Sequence, residues 1–234
     1  MQDAHDLILR VLIMLPIFLF SLSVHEAAHA ITAKWGGDLT SAYLGRVTLN
    51  PVPHIDPIGT IIVPIFGIMS GFPIIGWAKP VPVAETNFRR GDGYGVIVAL
   101  AGPFSNLLIA LFTVVFAQIY LVLAVLLEMR GIGLLANYTD PVFTAVQYMI
   151  LINVVLMVFN MIPIPPLDGS HVLWHGFVKQ RPEWHQLFFT VRQFGFIILL
   201  GLLWIGVVGA IFRTVGWPLI GFLTGLINLP LYFL

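Results

Sequence analysis

Cysteine is absent from the 234 residues. That excludes disulfides, thiolate ligands and a cysteine nucleophile, so any bound metal must be held by His, Asp or Glu. Charge is almost as scarce. Asp, Glu, Lys and Arg make up 9% of the chain, against about 25% in a soluble domain. Acidic and basic residues balance at 11 each, so no electrostatic excess points to nucleic acid. What is abundant is apolar surface: 59% of residues are hydrophobic and the mean hydropathy is +0.96. This is the composition of a protein dissolved in a lipid bilayer. A basic N-terminal region is missing too. Asp3 and Asp6 stand there instead, and the apolar run behind them is expected to be retained rather than cleaved as a signal peptide.

Five long apolar runs, at 7–33, 96–127, 142–162, 187–212 and 215–234, predict five crossings. Residues 57–77 are equally apolar but are interrupted by Gly59, Pro64, Gly67, Gly71, Pro73 and Gly76. That density of breakers suits a re-entrant segment better than a straight span. Residues 42–49 alternate in polarity and predict a strand, which near a membrane must be paired, so a small interfacial β-sheet is expected. With no linker or repeat, the chain reads as one domain over 1–234. Its core covers about 7–175 and accessory spans cover about 187–234. The expected fold is an all-α polytopic membrane protein with five transmembrane helices, a re-entrant segment and that sheet.

The first apolar run contains His25-Glu26-Ala27-Ala28-His29. On a helix the two histidines lie one turn apart on one face and can converge on a metal ion. Glu26, on the flank, can reach a water at that ion without being a ligand. An isolated His-Glu-x-x-His is short enough to arise by chance in soluble helices. Inside a hydrophobic span, unpaired polar groups cost about 2–3 kcal/mol or more, so the default reading there is function.

A catalytic zinc takes three protein ligands. Among the acids, Asp168 stands out, directly after an apolar span and framed by Pro163, Pro165, Pro166 and Gly169. If Asp168 is to meet the histidines, the first run and the 142–162 run must point the same way across the membrane. Residues 57–77 then cannot be a full crossing. Charge agrees: Lys34, Arg46, Lys79, Arg89, Arg90, Lys179 and Arg181 fall on one side, against Arg10, Arg130 and Arg213 on the other. By the positive-inside tendency, the motif-bearing ends face the cytoplasm and the N-terminus lies outside.

The pattern Asn160-x-x-Pro163-x-Pro165-x-Leu167-Asp168-Gly169, together with His25-Glu26-x-x-His29, resembles the site-2 protease family of intramembrane zinc metalloproteases. Gly102-Pro103-x-x-Asn106 is similar to a third, weaker motif of that family. The resemblance covers about residues 7–173. It implies one zinc per chain, held by His25, His29 and Asp168, with Glu26 as the catalytic general base. It further implies that Asn106 and Asn160 hold the substrate backbone or its oxyanion. His54 and Asp56 lie in a stretch that resembles one found in some small relatives; two readings stand, support of the zinc site from outside its ligand set and a solvated interfacial turn. The implied activity is hydrolysis of peptide bonds in or near transmembrane segments of other proteins, in the cell (inner) membrane, as in regulated intramembrane proteolysis. A competing reading is a metal or ion transporter that uses the same His and Asp side chains as a transient site. Against it, Glu26 has no purpose in carriage and no further chain of intramembrane acids is visible. Between the motifs there is no room for an inserted PDZ-like or nucleotide-sensing domain, so substrate selection is expected from the membrane core, the loops or a partner.

Overall fold

The computed structural model describes residues 2–70, 76–89, 91, 93–130 and 139–227. Helix α1 spans Gln2–Gly36 and contains Pro16. A single turn follows, α2 (Thr40–Tyr43). A π-helical segment, Pro57–Ile62, leads into α3 (Val63–Ser70). Then come α4 (Tyr94–Met129), α5 (Thr139–Asn160), α6 (Asp168–Leu173) and α7 (His185–Trp204). The described residues end in α8 (Val207–Ile211), a further π-helical stretch, Phe212–Gly216, and α9 (Trp217–Ile227).

Five stretches are long and apolar enough to cross a bilayer: Leu7–Gly36, Tyr94–Met129, Pro141–Asn160, Pro182–Trp204 and Val207–Ile227. The apolar helical stretch Pro57–Ser70 has 14 residues, which at 1.5 Å per residue is about 21 Å and short of a hydrocarbon core of about 30 Å. Residues 71–75 of the glycine- and proline-rich passage lie outside the described residues, as do Arg90 and 228–234.

The bundle is built on α1, α4 and α5. In lipid no hydrophobic effect drives helices together, so they associate through close packing and interhelical hydrogen bonds. Small residues allow the approach on α1, where Ala27, Ala30 and Ala33 are buried at intervals of three. Between α4 and α5, Ala110, Val114 and Ala117 pack against Val146, Ile150, Val154 and Val158, with Leu223 and Ile227 of α9 closing the cluster. On the other flank Phe18 and Leu22 of α1 pack against Ile152 and Leu156 of α5. Ser21 of α1 meets Asn153 of α5, and His25 and His29 further along α1 meet Asp168 just beyond the end of α5, so α1 and α5 run parallel. The bonds from His29 to Val98 and from Asn106 to Ser21 make α4 antiparallel to α1. Large exposed side chains such as Phe20, Phe112, Phe116 and Trp204 face outward, where lipid would be.

Two expectations change. The interfacial sheet is not found: among the described residues there is no strand. Residues 42–49 turn instead, with Gly45 N–H bonded to Ala42 O and Arg46 N–H to Ser41 O. The neighbouring strap, residues 77–84, is extended but cannot form a ladder. Pro80 and Pro82 have no N–H, and the donors of Trp77, Lys79, Val81 and Ala84 go to four separate partners: Gly59 O, His54 O, Glu26 Oε2 and Asp38 Oδ2. Two carboxylates and two isolated backbone carbonyls thus take the donors that a second strand would have held. The break between the last two spans also falls earlier than hydropathy suggests. Gly206 adopts φ +83°, a left-handed conformation open to glycine, and ends α7 eight residues before the apolar run does.

Candidate metal centre

His25 and His29 occupy one face of α1, as their spacing requires. Their rings meet edge to face with centroids 4.7 Å apart, and the two Nε2 atoms are separated by 3.1 Å. Asp168, the first residue of α6, brings its Oδ2 to 3.1 Å from His25 Nε2 and 3.4 Å from His29 Nε2. The loop carrying it is pinned by Ile162 and Leu167, which are buried with Leu199 of α7 and Val208 of α8. The spans after residue 185 therefore buttress the Asp168 loop from behind.

Hydrogen bonds on the far side of each ring define what the near side offers. His29 Nδ1 lies 2.7 Å from the carbonyl of Val98, an obligate acceptor, so Nδ1 carries the proton. His25 Nδ1 lies 2.6 Å from Asn106 Oδ1. The Asn106 amide nitrogen donates to Asn153 Oδ1 at 2.9 Å and towards Ser21 O at 3.4 Å, so its oxygen is the atom turned to His25. Both Nε2 atoms then present lone pairs to each other and to a carboxylate oxygen. Three lone pairs aimed at one point repel unless a cation lies among them.

A metal ion fits this donor set. Ligands about 2.0–2.1 Å from a tetrahedral zinc lie about 3.3 Å apart, and the three separations here are 3.1, 3.1 and 3.4 Å. Three protein donors leave the fourth position open, and donation of the distal ring N–H to a carbonyl is the usual support for a ligating histidine. The third helix comes close enough only because residue 102 is glycine. A methyl group there would overlap both imidazoles.

A cavity of about 600 Å³ reaches Glu26, His29 and Asp168 and is walled by the strap at Pro80, Val81 and Val83, by Pro165 and Pro166, and by α7 at Phe188 and Arg192. Glu26 is buried and accepts the Val81 N–H at 2.9 Å, so the strap fixes one of its oxygens. The strap is tied down at two more places. Asp38, fully buried, accepts from Ala84, Asn87 and Thr40. Burial would raise the Asp38 pKa, but those hydrogen bonds lower it below the usual carboxylate value. Glu85 lies 3.2 Å from His175 Nε2 and 3.6 Å from Lys179 Nζ.

The remaining candidates are placed elsewhere. Asn106 is buried completely beneath His25, with its amide taken up by His25, Asn153 and Ser21. Asn160 donates to Leu156 O one turn back at 3.0 Å and does not line the cavity. His54 is buried with its ring on Thr48 O, and its carbonyl accepts from Lys79, so it braces the strap. Asp56 caps the π-helical segment through the N–H groups of Ile58 and Gly59. Asn153 escaped the sequence reading. Its one signal was a polar side chain in the middle of an apolar span.

Fold and site together describe a chain with five helices long and apolar enough to cross a membrane and a His25-His29-Asp168 cluster whose donor atoms could hold a metal ion. Curated relatives agree with that chemistry. The chain is 39% identical over 153 residues to "Putative zinc metalloprotease YwhC" of Bacillus subtilis, covering 65% of this chain and 64% of the relative. It is 31% identical over 190 residues to "Putative zinc metalloprotease Rip2" of Mycolicibacterium smegmatis, and 30% identical over 188 residues to the Rip2 of Mycobacterium tuberculosis H37Rv. These alignments cover 80% and 79% of this chain and 64% of each relative, so the chain spans a little under two thirds of the length of the relatives it matches. No family model and no solved structure matches it. The names these relatives carry agree with the resemblance of the motifs to the site-2 protease family of zinc metalloproteases.

Proposed function

We propose that the protein is an intramembrane zinc endopeptidase that hydrolyses peptide bonds in or near the transmembrane segments of other membrane proteins. The observation that carries this reading is the convergence of His25 Nε2, His29 Nε2 and Asp168 Oδ2 within 3.4 Å, with Glu26 on the wall of the same cavity. In this reading His25, His29 and Asp168 hold one zinc ion, which when bound supplies a Lewis acid and lowers the pKa of a water towards neutrality. Glu26 is the general base. Val81 N–H fixes its Oε2, and its other oxygen takes the proton of the attacking water and returns it to the leaving amine. Asn106 serves as a support of His25, and the oxyanion role passes to groups on the cavity wall.

A helical substrate has its amides bonded internally and must unwind before it can be cut. The short helical stretch Pro57–Ser70, read as part of a re-entrant passage, is joined to the strap by the Trp77 N–H to Gly59 O bond and is the natural place for substrate and water to enter. Lys34, Lys79, Lys179 and Arg181 at the site end of the bundle support a cytoplasmic orientation in the cell membrane. Cleavage there would release membrane-tethered factors, the sense of regulated intramembrane proteolysis. Carriage of metal ions is not favoured, since the relatives carry metalloprotease names and Glu26 has no part in transport.

The test is zinc per chain and cleavage of a transmembrane peptide reconstituted with detergent-purified protein. Wild type and Glu26→Gln should hold equimolar zinc, and His25→Ala and Asp168→Ala should lose it. Glu26→Gln should lower turnover by about 10²- to 10⁴-fold. Retention of zinc at full affinity by Asp168→Ala, or full turnover by Glu26→Gln, would overturn the reading.

A further inference from the structure

We propose that Asn153 is a positioning residue of the metal centre: acting through Asn106, it dictates which nitrogen of His25 carries the proton and so presents the His25 Nε2 lone pair to the metal. The inference rests on the metal-centre reading above. Asn153 sits on α5, wholly buried in an apolar span, and touches no metal ligand. An intramembrane amide of this kind needs partners, and it has Met149 O, Ser21 Oγ and Asn106, with the Met149 sulfur 3.4 Å away.

The direction of those bonds matters more than their number. Met149 O is a backbone carbonyl and can only accept. Asn153 therefore turns its NH₂ towards it, at 2.9 Å, and the same nitrogen reaches Ser21 Oγ at 2.9 Å. Asn153 Oδ1 is left facing Asn106, which must answer with its NH₂, at 2.9 Å. Asn106 Oδ1 then faces His25 Nδ1 at 2.6 Å, and that nitrogen must bear the hydrogen. Three successive choices thus follow from one carbonyl that cannot flip. His25 Nε2 is consequently unprotonated and free to bind metal.

Without Asn153, the only other acceptor among the described residues that holds the Asn106 amide nitrogen is Ser21 O at 3.4 Å, a long contact. The amide can then rotate by half a turn and direct its NH₂ at His25 Nδ1. That arrangement demands the opposite tautomer, with the hydrogen on Nε2, which cannot ligate. His29 needs no such relay, because Val98 O has a fixed polarity. A purely structural Asn153, bridging α1 and α5 through Ser21, would account for stability but not for the tautomer.

The experiment reads the imidazole nitrogen NMR shifts of His25 in zinc-free protein at alkaline pH, and zinc affinity by chelator competition. Wild type should show Nδ1–H with an unprotonated Nε2. Asn153→Leu should shift His25 towards Nε2–H and weaken zinc binding by about 10- to 100-fold. Asn153→Thr, whose hydroxyl can bond Met149 O in its own helix, keeps the position packed and carries the same expectation should the leucine variant not fold. Adding Asn106→Asp to either should restore the Nδ1–H tautomer and recover zinc binding, because both carboxylate oxygens accept. If the Asn153 variants keep the wild-type tautomer, or keep wild-type zinc affinity, Asn153 is helix-bridging only and the proposal falls. If the tautomers follow this pattern but wild type binds no zinc, the relay stands and the metal-centre reading fails.

Discussion

Gly102→Ala tests whether the packing of α4 against the two histidines is a requirement of the metal centre. The hydrogen replaced points at both imidazoles, and a methyl group in its place would overlap His29 Nε2 and His25 Cε1 and Nε2. Neither ring can retreat freely, since His29 is bonded to Val98 O and His25 to Asn106. Overpacking a close-packed site costs about 1–3 kcal/mol. Here the displaced atoms are the donors themselves, so the cost should appear in zinc affinity as a loss of about 5- to 150-fold. Zinc competition against a chromophoric chelator measures it, beside thermal unfolding of the zinc-free protein. Gly201→Ala is the control: a methyl group there meets nothing within 4 Å among the described residues, and helix propensity alone favours it by about 1 kcal/mol. Wild-type zinc affinity in Gly102→Ala would refute the placement of α4 against the ligands.

Two further predictions concern the scaffold. Asp38 has a lowered pKa in the fold, so its contribution to stability is present above its unfolded value, about 3.9, and is lost as pH falls through the lower folded value. Asp38→Ala should remove that acid-dependent part and destabilise the strap by about 1.5–3 kcal/mol. Hydrogen exchange at residues 77–89 between neutral and acidic pH measures both effects, and unchanged protection in the variant would count against the strap's anchoring. Gly206→Ala places a Cβ on a left-handed residue with open space around it, so only backbone strain is added. Unfolding free energy should fall by about 1–2 kcal/mol, and an unaltered melting temperature would contradict the assigned conformation.

How much of the site was legible follows from how local each signal is. His25, Glu26 and His29 are related by helical period alone, so five residues of sequence place the two histidines on one helix face and Glu26 on its flank. Asp168 was legible from its proline- and glycine-framed context, because a backbone so constrained announces a special position. Asn153 was not, since a single amide among aliphatic residues looks the same whether it bridges helices or orients a ligand. The interfacial sheet failed for a related reason. Alternation of polarity records which faces are wet, not what the N–H groups bond to, and here Glu26, Asp38 and single carbonyls take the strap's donors one at a time.

By itself the sequence determined the solvent, the number of apolar stretches able to span it and the chemistry of the donors. Those properties depend on composition and on periods shorter than two turns. Tertiary structure decided that donors more than 130 residues apart meet within 3.4 Å, that Asn106 faces a histidine rather than the cavity, and that α7 and α8 brace the Asp168 loop. Each of these depends on helices choosing partners across the bundle. That choice is made by shape, at Gly102 and the alanines of α1, and by the direction of a few buried hydrogen bonds, neither of which a linear pattern of polarity encodes.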